Sequence, residues 1–384
     1  MVIRKPLVLT LAVFLIASPV YAGKIKKIHS AVIRGNYYQV LNILEKKPRK
    51  VNSKDKDLGT PLHLAVSFGH YEICELLIEK GAKLNIKDKN KKTPLHVAVN
   101  NNYTEIAMLL IDNGADIDAK GPHGGTPLYG GIVNGHKELV EMLIDKGVDI
   151  NAMAELGRIR PLMLAIEANQ VEIARLLIAR GADVHAINEW GSDALYLAMI
   201  NNQTEVVKDL IGHGAGPNAQ YSDKGHSPLL MATLDNDEEM AKYLLEHGAN
   251  PNIKEYERGC APLHLAAGRS YPGLVELLLA NGANVNEKTK QGYTPLHMAA
   301  LTGEIGIAKV LIKSGAEIDA KLINGTTPLH AAAYMGSKEV AKFLIENGAE
   351  INARGDKGQT PLKKALENSQ DEMVEFLRQH GGVE

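Results

Sequence analysis

The tetrapeptide Thr60-Pro61-Leu62-His63 returns as Thr93-Pro94-Leu95-His96 and then as Thr126-Pro127-Leu128-Tyr129. It recurs as Ala261-Pro262-Leu263-His264, Thr294-Pro295-Leu296-His297, Thr327-Pro328-Leu329-His330 and Thr360-Pro361-Leu362-Lys363. Weaker copies at Arg160, Asp193 and Ser227 fill the gap between the two groups, and every step is 33 or 34 residues. A degenerate copy at Lys27-Ile28-His29 precedes them, which makes eleven units. An unbroken period of this length argues against one globular core. Each unit is a supersecondary element that buries its apolar side only against its neighbours.

One unit shows how. Thr60 is a helix N-cap, and Pro61 stands at the first helical position, where its missing N–H costs nothing. Leu62, Ala65 and Val66 form the stripe of a short helix that Gly69 ends. Ile73, Leu76 and Leu77 carry a second stripe, stopped at Gly81-Ala82. Leu84-Asn85-Ile86 and the polar residues after it make an extended turn to the next Thr-Pro. The spacing therefore predicts helix, turn, helix and protruding hairpin, stacked throughout.

These residues resemble ankyrin repeats. The resemblance rests on the Thr-Pro-Leu-His openings, on Gly69-His70 and Gly135-His136, and on the Gly-Ala-x-hydrophobic-Asn endings at 81–85, 282–286 and 348–352. It covers residues 24 to about 382 and implies an all-α ankyrin-repeat solenoid, with an inner and an outer helix layer. It also implies a groove of hairpin tips and inner helices that holds a protein partner. The structural motif residues are Thr60, Pro61, His63, Thr93, Pro94, His96, Thr294, Pro295, His297, Thr327, Pro328 and His330.

The amino terminus reads differently. Arg4 and Lys5 precede an apolar run from Leu7 to Ala17, and Val20-Tyr21-Ala22 sets up a cleavage site. Residues 1–22 are expected to be a signal peptide, with an uncleaved anchor as the alternative. Residues 23–384 are then the solenoid, capped by polar repeats at about 24–57 and 358–384. Export to a bacterial periplasm, or secretion, follows from that reading. Residues 1–22 hold Arg4 and Lys5 and no acid, so 43 basic against 45 acidic residues becomes 41 against 45. That balance argues against nucleic acid or an anionic membrane surface as partner. No membrane insertion after cleavage and a monomeric state are expected.

Catalytic signatures are missing from the sequence: it has no Gly-x-Ser-x-Gly, no His-Glu-x-x-His, no phosphate loop and no Cys-x-x-Cys. The motif histidines recur one repeat apart, roughly 10 Å, too far for two of them to share a zinc at roughly 2 Å bonds. No enzyme activity, cofactor or metal is expected. Cys74 takes a small core position. Cys260 lies in a hairpin almost six units away, too far to pair with it in a solenoid, and is expected as a lone thiol.

What varies is the surface. The hairpins carry Met153, Trp190, Tyr221, Tyr256 and Tyr293, and the inner-helix ends carry Ile200, Leu234 and Arg269. Aromatic and methionine side chains bury large area at little rotamer cost, so these residues outline a partner site centred on Trp190 and Tyr256. The alternative is that each aromatic covers the neighbouring hairpin. Two functions fit: a scaffold or adaptor in the compartment of export, or a secreted effector that binds host-cell proteins.

Overall fold

The computed structural model describes residues 26–57, 59–155 and 157–384. The apolar leader read as a signal peptide therefore lies outside the described residues. Among the described residues there are twenty-two α-helices in eleven consecutive pairs, and no strand beyond two isolated bridges. The fold is the all-α succession of helix pairs that the repeat predicts. Its contacts divide the described residues into two compact units, the first ending at Ala215 and the second beginning at Gly216.

Within each unit the pairs stack as the pattern requires. The first helix Pro61–Ser67 buries Leu62, Ala65 and Val66, and the second helix Tyr71–Glu79 buries Ile73, Cys74, Leu76 and Leu77. First helices pack on first helices and second on second, so a short stripe that could not stay folded alone is covered on both sides. In the second unit Leu296, Ala299 and Ala300 do the same on the helix Pro295–Thr302, with Ile307, Ala308 and Leu311 on the next.

The asparagine that ends most repeats (Asp118, His185 and Asp319 stand in its place in three) has a structural task. Asn52 Oδ1 accepts the Lys83 N–H at 2.8 Å while its Nδ2 donates to the Gly81 carbonyl at 3.1 Å. Asn252 repeats both bonds in the second unit, to Asn284 N–H at 2.8 Å and Gly282 carbonyl at 3.1 Å. Each such side chain ties one helix-to-hairpin corner to the same corner of the next repeat, satisfying backbone groups that the turn leaves free.

Candidate functional site

The motif histidines are buried polar staples. In Thr93-Pro94-Leu95-His96 the His96 Nδ1 accepts the Thr93 N–H at 3.2 Å and the Thr93 hydroxyl at 2.8 Å. Its Nε2–H donates to the Gly125 carbonyl at 3.4 Å. His63 bonds to Lys92 in the same way at 3.1 Å. In the second unit, His264, His297 and His330 reach carbonyls of Tyr293, Thr326 and Gln359 at 2.9, 3.2 and 2.9 Å. This set of bonds requires the neutral ring with its proton on Nε2. Burial accordingly lowers all five imidazoles, and pushes His96 and His297 down to about 4.

Departures from the motif change this pattern in ways that follow from the side chains. Asp193 and Ser227 still cap their helices, accepting from Tyr196 N–H at 2.8 Å and Leu230 N–H at 3.3 Å. Arg160 and Ala261 make no side-chain cap. Tyr129 stands where histidine is expected, and its hydroxyl meets the Ala152 and Ile159 carbonyls at 2.7 and 2.6 Å and the Ala154 N–H at 3.0 Å. Its ring has no nitrogen for the capping hydroxyl, so Thr126 Oγ1 is buried without a partner. Tyr129 thus keeps the hairpin bond and loses the cap bond.

Two of the surface residues share one geometry. Trp190 is 64 % exposed, and its ring edge lies on Gly157, where an added Cβ would come within 2.8 Å of it. Its hairpin is held by Asn188 Oδ1, which accepts the Trp190 and Ser192 N–H groups at 3.0 and 2.9 Å. Tyr256 is 50 % exposed, and its ring lies over Gly225, where a Cβ would come within 2.6 Å. Both glycines have positive φ, +70° and +68°, and the bare Cα is what lets the rings approach. Each aromatic covers the preceding hairpin on one side and faces solvent with the rest.

The other positions divide. In the first unit Met153 and Ile200 are exposed, and Ile200 ends the helix that Trp190's hairpin leads into. In the second unit Arg269 is exposed and its guanidinium donates to the Leu234 carbonyl at 3.3 Å, while the Leu234 side chain is half-buried. Tyr293 is half-buried, edge-on to the His297 ring at 5.9 Å. Tyr221 is a correction. It is only 5 % exposed, in a hairpin whose backbone bridges it to His226, so it leaves the candidate surface.

Cys260 is also not an open thiol. It is buried, and burial pushes its thiol up to about 11, as it pushes Cys74 up to about 12. Among the described residues no group of three His, Cys, Asp or Glu side chains is placed to hold a metal ion. No helix among them is long and apolar enough to cross a membrane.

One residue escaped the sequence reading. Glu167 ends the helix Pro161–Glu167 in the register of Val133 and Ile200 on the first helices to either side. It is half-buried, its side chain has no ion pair or hydrogen bond among the described residues, and burial raises its carboxyl above the usual range. A lone glutamate at a helix end reads from sequence as a solvated polar residue. What makes it unusual is the pair of exposed aliphatic neighbours, visible only once the helices are stacked.

The family model for ankyrin repeats (3 copies) matches residues 28–121, 85–154, 120–188, 162–255, 252–322 and 318–384 in overlapping segments. The chain belongs to the ankyrin-repeat family. Ankyrin repeats are generally protein–protein interaction modules and typically not enzymes. No curated protein matches the chain. In this ankyrin array the repeated histidines belong to the scaffold.

Proposed function

We propose that this protein is an exported, non-enzymatic ankyrin scaffold or adaptor that binds a partner protein through its hairpin tips and first-helix ends. The observation that carries the reading is Trp190, a large aromatic seated on Gly157 by one edge and 64 % exposed on a hydrogen-bonded tip. A tryptophan fixed in place loses little entropy on binding and offers more area than any other side chain. In the first unit Ile200 and Met153 are further exposed apolar side chains, and Glu167 adds a half-buried carboxyl. In the second unit Tyr256 occupies the same relation to its glycine, with Arg269 and Leu234 at the first-helix ends. Export rests on residues 1–22, and we take the mature chain to begin at Gly23 and to act as a monomer.

The test has two arms. Amino-terminal sequencing of the protein recovered from the native cells, by compartment, should give a chain beginning at Gly23 outside the cytoplasm. Quantitative capture with wild type, Trp190→Ala and Tyr256→Ala should then show specific partners lost in the variants. Unchanged capture by both variants refutes the surface, and recovery of the intact leader in the cytoplasm refutes export.

A further inference from the structure

The first two hairpins carry a charge pattern that the rest of the chain does not. Residues 46–56 hold six basic side chains and one acid, Asp55, and residues 80–92 hold six and one acid, Asp88. The lysines recur in register, Lys47 with Lys80, Lys50 with Lys83 and Lys54 with Lys87, each pair 33 residues apart and every member exposed. The hairpins lie side by side: Asn52 bonds to Gly81 and Lys83, and the Lys89 N–H donates to the Asp57 carbonyl at 2.9 Å. Like charges are therefore stacked about 10 Å apart, within roughly a Debye length at physiological salt. At the Lys50 and Lys83 position the next repeats carry Asp116 and Asp149, so the pattern stops after two rungs.

The three local acids, Asp55, Asp57 and Asp88, offset only part of the twelve positive charges. Asp55 Oδ1 accepts the Asp57 and Gly59 N–H groups at 2.8 Å, and Asp88 Oδ1 accepts those of Asn90 and Lys92 at 2.9 Å. Asp57 pairs with Lys89 at 2.7 Å. Such stacking opposes folding, and its regular placement on a rigid ladder suits a ligand of opposite charge.

We propose that the paired hairpins 46–56 and 80–92 form a docking surface for an acidic polypeptide segment, separate from the aromatic tips. Three features select a polypeptide over nucleic acid or membrane. No exposed large apolar or aromatic side chain lies among the described residues of either hairpin, so nothing there stacks a base or enters a bilayer. Eleven of the twelve basic residues are lysine and one is Arg49, point charges and not the forks that grip phosphate. The rung spacing of about 10 Å is close to three residues of a polyproline II chain at about 3.1 Å each, whose three-residue turn returns every third carboxylate to the face that meets the two rungs.

Fluorescence anisotropy with a labelled glutamate-rich peptide of about twenty residues tests this, beside a single-stranded DNA oligonucleotide and phosphatidylserine vesicles. The peptide should bind the purified protein, more weakly as salt rises. Combining Lys47→Gln, Lys50→Gln, Lys83→Gln and Lys87→Gln should cost at least tenfold in affinity. Combining Lys309→Gln, Lys313→Gln, Lys321→Gln and Lys357→Gln in the second unit removes the same charge and should change it less than twofold. Trp190→Ala should leave it unchanged. Peptide binding that survives the hairpin variant, or is lost equally in the control, overturns the surface. DNA or vesicle binding without peptide binding overturns the choice of partner, and no binding by any probe overturns the proposal outright.

Discussion

The His297 Nδ1 lies 2.8 Å from the Thr294 hydroxyl, and its Nε2 lies 3.2 Å from the Thr326 carbonyl in the next repeat. A ring so placed cannot take a second proton without turning the Thr294 N–H and a new N–H toward each other. The folded pKa of His297 is about 4 against an ordinary 6.5, as is that of His96. The unfolded chain therefore binds protons first as pH falls, and stability declines from pH 6.5 down through about 4. By pH 5 each such histidine contributes a loss on the order of 2 kcal/mol. Thermal melts by circular dichroism should show Tm dropping steadily over that window. An equal Tm at pH 7 and pH 5 contradicts the neutral, staple-like histidines.

Thr93 and Thr126 occupy equivalent caps with different neighbours. Thr93 bonds to His96 at both its backbone and its ring, whereas Thr126 faces Tyr129 with no partner for its hydroxyl. Thr93→Val should destabilise by about 1–2 kcal/mol, and Thr126→Val by less than about 0.5 kcal/mol or not at all. Tyr129→Phe, which takes the hydroxyl from the Ala152 carbonyl while the Ala154 N–H and the Ile159 carbonyl keep each other, should cost about 1–2 kcal/mol. Urea unfolding of the three variants separates these cases. Equal losses for the two threonine variants contradict the unsatisfied cap.

Cys74 and Cys260 are each buried, with thiols raised far above neutral pH. Both should react slowly with Ellman's reagent at pH 7.5 in the native protein and rapidly in urea. Rapid native labelling of Cys260→Ser protein would show Cys74 open, and rapid labelling of Cys74→Ser protein would show Cys260 open.

The repeat was legible because its signals are local and multiplied. Thr60, Pro61 and Gly69 mark helix ends by their own chemistry, and Leu62, Ala65 and Val66 mark one face, so ten in-phase copies fix the fold. The surface was less legible because it depends on neighbours one repeat away. Tyr221 and Tyr256 both read as tip tyrosines, but they stand six and five residues ahead of their caps, and the one-residue offset leaves the first buried and the second out over Gly225. Trp190 covers a neighbouring hairpin by one edge and still leaves most of its ring exposed. The lysine rungs were hidden by the whole-chain charge, since 43 basic and 45 acidic residues nearly cancel while one end does not.

Trp190 and Gly157 make the surface testable without knowing the partner. Trp190→Ala removes the ring but leaves Asn188 holding the tip, so stability should change by less than about 1 kcal/mol. Affinity for a captured partner should fall more than tenfold, the effect of a hot-spot aromatic. Gly157→Ala acts the other way. It places a Cβ against the ring at a φ of +70°, which should cost about 1–2 kcal/mol and displace the indole. As Trp190 is the one tryptophan of the chain, its fluorescence reports each step directly. Emission should be readily quenched by acrylamide in the free protein, protected when the partner binds, and more exposed in Gly157→Ala. Protection without any loss of affinity in Trp190→Ala would mean that the ring is covered by the partner and contributes nothing to its grip.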